Sequence, residues 1–198
     1  MIAAGNPAVF IRTIGIMLID FSKNHFELFG LPASFQLDIT QLEQAYRQLQ
    51  AQVHPDKHAH LGETEKRLAL QRATQANHAY QTLRQPLARA RYLLQLNGID
   101  TQEETNTAMP ADFLMEQMEW REAIGDAKAA QDITELEALS HRLRREVQQM
   151  QQVVAQLLDE QQAYAKAAEP VRKLRFFAKL DTELGDATEP ARSSKFRH

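Results

Sequence analysis

This sequence predicts an all-helical protein in two parts: an N-terminal antiparallel helical hairpin with short flanking helices, linked to a C-terminal three-helix bundle. Apolar residues recur at intervals of three and four, the pattern of one buried helical face. Glycine and proline, seven each, fall almost entirely between those periodic stretches, and no segment alternates apolar and polar residues as a strand would. With 198 residues, 43% of them hydrophobic, the chain has material for two small cores.

Taken in order, the first 23 residues stand apart. Ala8 to Ile19 reads AVFIRTIGIMLI, too short to span a bilayer and interrupted by Arg12. It lacks the basic lead-in and the small-residue cleavage site of a signal peptide. We read residues 1–23 as an N-terminal extension, with translation expected to begin at Met17; a disordered tail or a targeting segment are the other readings.

The first short helix follows Asn24, whose side chain can accept a bond from a free backbone N–H while Glu27 completes a capping box; Gly30, Leu31 and Pro32 end it. Asp38 with Gln41 opens a second helix carrying Ile39, Leu42, Tyr46, Leu49 and Val53, which must stop before Pro55. A third, from about Glu63 to Arg84, places Ala69, Ala73, Ala76, Tyr80 and Leu83 on one stripe. Two such helices joined by a short loop bury their stripes by folding back on each other, with Tyr46, Leu49 and Val53 against the alanine face. The loop is then the hairpin tip. A fourth helix follows Pro86, carries Leu87, Tyr92, Leu93, Leu94 and Leu96, and stops at Asn97 and Gly98.

Residues 99–109, IDTQEETNTAM, are polar and read as a linker. Pro110 opens the next helix. A long one from about Ile133 to Gln162 shows Leu136, Leu139, Leu143, Val147, Met150, Val154 and Leu157, and a last one from about Glu169 to Leu184 shows Val171, Leu174, Phe177 and Ala178. From Gly185 the polar tail is expected to fray.

Composition narrows the function. Lys and Arg number 23 against 26 Asp and Glu, so a net charge of -3 supplies no general attraction to nucleic acid or to anionic membranes. A protein partner is the expectation. Without cysteine there is no disulfide, thiolate nucleophile or cysteine zinc site, and a reducing cytoplasm is the expected compartment.

At the hairpin tip stand His54, Pro55, Asp56 and Lys57. Proline fixes its own φ and restrains the residue before it, so His54 and Asp56 are held with little entropy left to lose on binding. An ordered carboxylate suits a charge-assisted pair with a partner's arginine. The tripeptide at the turn between two helices, with a short helix before it and Asn77 and Tyr80 after it, resembles a J-domain. That resemblance implies a non-enzymatic protein that docks these residues on the nucleotide-binding domain of a DnaK-type chaperone and favours its hydrolysis-competent state. J-domains usually carry a basic stripe on the helix before the tripeptide. Residues 38–53 here offer only Arg47, which weakens electrostatic steering and points to a specialised chaperone. Two rival readings of the loop are a metal site of His54, Asp56, His58 and His60, and a His54–Asp56 catalytic pair; no second ligand cluster and no nucleophile accompany them.

Residues 113–124, FLMEQMEWREAI, show two apolar sectors when set on a helix at about 100° per residue. Phe113, Trp120 and Ile124 form a core stripe. Leu114, Met115 and Met118 form another, bordered by Glu119 and Glu122; adaptable methionine rimmed by carboxylates suits a protein-binding patch. Packing of Leu114 and Met118 against the linker or the first domain is the plainer alternative. Phe176 lies at the edge of the last helix's stripe. The basic residues Arg172, Lys173, Arg175 and Lys179 beside it suggest a solvated charged face before they suggest RNA.

The runs Phe113-Leu-Met-Glu-Gln and Val171-Arg-Lys-Leu-Arg-Phe, with Phe29-Gly-Leu-Pro, His54-Pro-Asp-Lys, Gln81-Thr-Leu-Arg and Tyr92-Leu-Leu, resemble the HscB family of iron–sulfur co-chaperones over about residues 25–184. The resemblance implies a J-domain at 24–98, a scaffold-binding bundle at 110–184 and a polar tail at 185–198. It also implies two partners, an HscA-like chaperone ATPase and the iron–sulfur scaffold IscU, and no resident cofactor. Carried over by position, the scaffold contacts are Leu114, Met115, Met118, Glu119, Glu122 and Phe176. Met118 stands where the family often has leucine, a change that keeps apolar character. The cysteine-bearing zinc module of animal relatives is not present in a chain without cysteine. A general J-protein serving unfolded clients is the alternative function.

Overall fold

The structure, a computed structural model, describes residues 22–53, 62–101 and 109–195. Among these residues are seven α-helices and one π-helical turn, and no strand. The N-terminal run with Met17, the tripeptide loop and most of the expected linker lie outside the described residues. The chain divides into two compact units between Arg89 and Ala90, within a helix, whereas the sequence reading placed the boundary at residues 99–109.

In the first unit, α1 (His25–Leu28) is a single turn fixed at both ends. Asn24 Oδ1 accepts from the Glu27 N–H at 3.0 Å and the Glu27 carboxylate accepts from the Asn24 N–H at 3.2 Å, the reciprocal box read from the sequence. At the other end Gly30 sits at φ +65°, so Leu31 N–H reaches Phe26 O at 2.9 Å and Gly30 N–H reaches Glu27 O at 3.1 Å. The longer α2 (Ile39–Val53) starts where Asp38 Oδ1 accepts from the Thr40 and Gln41 N–H groups. It packs against α3 (Glu63–Arg84), burying Leu42, Leu49 and Val53 with Ala69, Ala76, Ala79, Tyr80 and Leu83. Ala69, Ala76, Tyr80 and Leu83 lie on the stripe the sequence marked, whereas Ala73 is half-buried and Ala79, not on that stripe, is fully buried.

The helix α4 (Pro86–Leu96) begins at proline and ends at Gly98, φ +73°, where Ile99 N–H donates to Leu94 O at 2.9 Å. Arg89, within α4, is 5% exposed. Its guanidinium donates to Leu83 O and lies 5.4 Å over the Phe35 ring. Nothing in the periodic pattern distinguished it from a solvent-facing arginine.

The second unit is built on α5 (Ala111–Ala129), α6 (Ile133–Ala155) and α7 (Tyr164–Lys195), a bundle with Phe113, Trp120, Ile124, Leu136, Leu139, Leu143, Phe177 and Leu180 in its core. Three expectations are corrected here. The α-helical part of α6 ends at Ala155, and a π turn, Gln156–Glu160, carries it on. The wider turn buries Leu158 fully and leaves Leu157 half-buried. The last helix starts at Tyr164 instead of Glu169 and runs past Gly185 to Lys195, so residues 185–195 are not a frayed tail. Pro170 lies inside this helix, where a proline forfeits one backbone bond, a loss that burial of Ala167, Ala168 and Val171 around it offsets. Leu184 and Ala187, also buried, carry the core beyond Gly185. Ala178, expected on the apolar stripe, is exposed, and its place inside is taken by Phe176 and Phe177. No helix among the described residues is long and apolar enough to cross a membrane.

Candidate functional site

The hairpin that would present His54, Pro55, Asp56 and Lys57 is well anchored, though those four residues lie outside the described ones. Val53, the last residue of α2, is completely buried, which fixes where the chain leaves the helix pair. Further back, Tyr46 stacks on Tyr80 with ring centroids 4.1 Å apart and planes at 11°, and its hydroxyl donates to Asn77 Oδ1 at 2.6 Å. Phe29 meets Tyr46 edge-on at 6.5 Å, tying the turn after α1 to the same aromatic group. His25 and His78 contact edge-to-face at 5.4 Å. Burial, and secondarily the neighbouring His78, lower the pKa of His25 below its ordinary 6.5.

Arg47, the basic residue expected to face the chaperone, is exposed on α2, 3.3 Å from the Glu43 carboxylate one turn earlier. Such a surface pair is worth well under about 1 kcal/mol and leaves the guanidinium able to exchange partners.

On α5 the two sectors separate as the wheel indicated. Phe113, Trp120 and Ile124 are 2%, 1% and 5% exposed, while Leu114, Met115 and Met118 are 45%, 65% and 71% exposed. Glu119 and Glu122 are exposed beside them. The plainer alternative, in which Leu114 and Met118 pack against the linker or the first domain, turns in part on residues 102–108, which lie outside the described ones. Phe176 is placed differently from expectation. It is 7% exposed, edge-on to Phe113 at 5.5 Å, and belongs to the core. One side of its ring still lines a cavity beside α5. Lys173, of the basic group, is 5.0 Å over the Phe113 ring and 3.2 Å from the Glu169 carboxylate, a structural use of its charge.

Among the described residues no three His, Cys, Asp or Glu side chains converge as a metal site. The histidine loop weighed for that role is not among them.

The described residues thus comprise a helix pair bound by an aromatic stack and a helical bundle with apolar side chains facing water. Family models give the class: residues 24–92 match the DnaJ domain and residues 109–185 match the HSCB C-terminal oligomerisation domain, so this is a J-domain co-chaperone. A co-chaperone protein HscB homolog from Chromobacterium violaceum is 56% identical over 170 residues, which cover 86% of this chain and 96% of that protein. Chaperone HscB from Vibrio cholerae superposes with a TM-score of 0.77 at 38% identity, covering 85% of this chain and 99% of that one. Human co-chaperone protein HscB gives a TM-score of 0.81 at 30% identity, with 86% and 85% covered. The chain belongs to the HscB co-chaperone family.

Proposed function

We propose that this co-chaperone stimulates ATP hydrolysis by an HscA-like, DnaK-type chaperone in the cytoplasm and delivers to it the iron–sulfur scaffold protein IscU for cluster transfer. It performs no chemistry of its own. His54, Pro55, Asp56 and Lys57, with Arg47 on α2, form the chaperone-facing end of a J-domain spanning 24–98; Leu114, Met115, Met118, Glu119 and Glu122, with the cavity-lining side of the otherwise buried Phe176, form the scaffold-facing end of a bundle spanning 110–184, beyond a linker at 99–109.

The observation that carries this reading is the second apolar sector of α5. A bundle helix needs one apolar face for its core, and Phe113, Trp120 and Ile124 already fill it. Leu114, Met115 and Met118 face water at a cost no internal contact repays, while each buried by a partner contributes roughly 1.5–3 kcal/mol. Methionine adapts its shape to a folded surface, and the flanking Glu119 and Glu122 exclude non-specific apolar clients and pair with a basic rim. At the other end, Asp56 is the one acidic group of the tripeptide. It offers a carboxylate that can form a charge-assisted pair with a guanidinium on the ATPase. Joining both ends in one chain raises the effective concentration of the client at the chaperone, coupling client transfer to the nucleotide cycle.

The test is steady-state ATPase of the HscA-like chaperone with and without scaffold. Asp56→Asn is expected to reduce stimulation at least a hundredfold while scaffold affinity by calorimetry stays within twofold of the parent. Full stimulation by the variant removes the assignment of the tripeptide.

A further inference from the structure

Sulfur is distributed unevenly along this chain. There is no cysteine, and of the six methionines none falls between Met17 and Met109, so the DnaJ-domain match at 24–92 contains no sulfur at all. The remaining four lie in the second unit. Met109 and Met150 are partly buried against its core, whereas Met115 and Met118, one turn apart on α5, are 65% and 71% exposed. We propose that Met115 and Met118 form a reversible oxidation site, at which a hydroperoxide switches off the client-binding face of α5 and leaves the chaperone-facing end unaltered. This rests on reading the second apolar sector of α5 as that face.

The step is an oxygen transfer. A lone pair of the thioether sulfur attacks the outer oxygen of the hydroperoxide; an S–O bond forms as the O–O bond breaks, and the sulfur gives up two electrons. The departing oxygen takes the hydroperoxide proton and leaves as alcohol or water. Access to the sulfur governs where this happens, and with no thiolate in the chain to react first, exposed thioethers are the sulfur an oxidant meets. A dithiol reductant reverses the step, its two sulfurs joining as a disulfide while the oxygen leaves as water.

The product turns an apolar, adaptable side chain into a polar acceptor. Side chains on a helix meet those three and four residues away, and around Met115 and Met118 the polar ones at that spacing are Asp112, Glu119, Glu122 and Arg121. Carboxylates only accept hydrogen bonds, as a sulfoxide does, and the one donor, Arg121, lies 5.8 Å over the Phe176 ring. Each sulfoxide oxygen is then satisfied by water, which a partner seated on this row removes without replacing. A seated client also covers both sulfur atoms, so oxidation acts on the free co-chaperone and prevents rebinding.

In the experiment the full chain is treated with hydrogen peroxide and then freed of it. It is followed by peptide-mapping mass spectrometry, circular dichroism, calorimetric titration with the scaffold, and chaperone ATPase stimulation without scaffold. Met115 and Met118 are expected to gain oxygen at least about fivefold faster than Met109 and Met150, and bound scaffold should remove that difference. Conversion of both should weaken scaffold binding at least about tenfold, with helical content and ATPase stimulation unchanged. Methionine sulfoxide reductases of both epimer specificities, with dithiothreitol, should restore the affinity. In Met115→Leu with Met118→Leu the affinity, whatever its starting value, should be the same before and after peroxide. If the untreated chain does not bind the scaffold, the reading of the face fails and the switch with it. If the untreated chain binds and the oxidised chain binds equally well, or the leucine variant loses affinity on treatment as the parent does, the face stands and the switch is overturned. Uniform oxidation of the four methionines overturns it as well.

Discussion

Helices α2, of 15 residues, and α5, of 19 residues, are both rich in apolar side chains, yet they use them differently. In α2 the apolar residues gather on one side, and Leu42, Leu49 and Val53 disappear into the contact with α3. In α5 they spread around the helix, and burial stops at Phe113, Trp120, Ile124 and Ala127 while Leu114, Met115 and Met118 remain in water. The first helix is explained by its own fold; the second is explained only by something outside it. Apolar residues in excess of what the core can accept are therefore the place to look for function in a helical protein, and a helix whose pattern is poor by the standard of amphipathicity carries more functional information than one whose pattern is clean.

The largest expected effect tests whether the two faces of α5 differ as described. Trp120→Ala removes a side chain that is 1% exposed and packed under the Arg142 guanidinium at 4.5 Å, and should cost about 3–5 kcal/mol of stability by urea denaturation followed by circular dichroism. Met115→Ser with Met118→Ser should stay within roughly 0.5 kcal/mol of the parent, since neither side chain contributes to the core. If both variants lose the same stability, the second sector is structural and the contrast with α2 fails.

The same methionine pair sharpens the functional side. We expect it to weaken IscU binding at least tenfold, about 1.4 kcal/mol or more, in a calorimetric titration, with ATPase stimulation in the absence of scaffold unchanged. Phe176 is unsuited to this experiment because its ring is wedged between Phe113 and Phe177, and truncating it would unsettle the core along with any contact. An unchanged affinity moves the scaffold to another surface.

Most of the fold was open to reading because each long stretch is both periodic and marked at its ends. Asn24 with Glu27, Asp38, Pro86 and Gly98 all terminate helices where the residue chemistry says they should. What escaped was decided by tertiary contact. The extension of α7 over Pro170 and Gly185 depends on Ala167, Leu184 and Ala187 finding cover, which no local signal announces. The π turn after Ala155 likewise has no sequence mark, and it moved the buried position from Leu157 to Leu158. The apolar row of α5 was visible because its excess shows on a helical wheel. The cavity beside α5 was not, since it needs residues of two helices, Phe113 and Arg121 on one and Arg172 and Phe176 on the other, to come together. Phe176 was placed one step too far out, because the wheel does not show that three aromatic rings cluster there.

A smaller effect tests how much of the contact between α2 and α3 rests on a polar group. Tyr46→Phe keeps the stack on Tyr80 and removes only the hydroxyl that donates to Asn77. The expected loss is about 1 kcal/mol, read from the urea midpoint at constant slope. A loss below about 0.3 kcal/mol would assign the hairpin's stability to apolar packing alone, making α2 an even purer case of a helix explained by its own core.

The smallest effect has the opposite sign and compares the ends of helices in the two units. Three helices close with the same pair of backbone bonds: after α1 at Gly30, after α4 at Gly98, and after α5, where Asp132 N–H reaches Ala127 O at 2.9 Å and Gln131 N–H reaches Lys128 O at 3.1 Å. The residue at the left-handed position is glycine in the first two and Gln131, φ +53°, in the third. A side chain in that region costs about 1–2 kcal/mol, part of which glycine gives back through its freer unfolded chain. Gln131→Gly should therefore stabilise the bundle by roughly 0.5–1 kcal/mol, measured through the fluorescence of Trp120, the one tryptophan in the chain. Gly98→Gln should destabilise by a similar amount even though no atom lies within 4 Å of the added Cβ, because the cost is in the backbone and not in a clash. If Gln131→Gly is neutral or destabilising, the exposed glutamine holds the turn by an interaction of its own, and α5 is closed by a different device from α1 and α4.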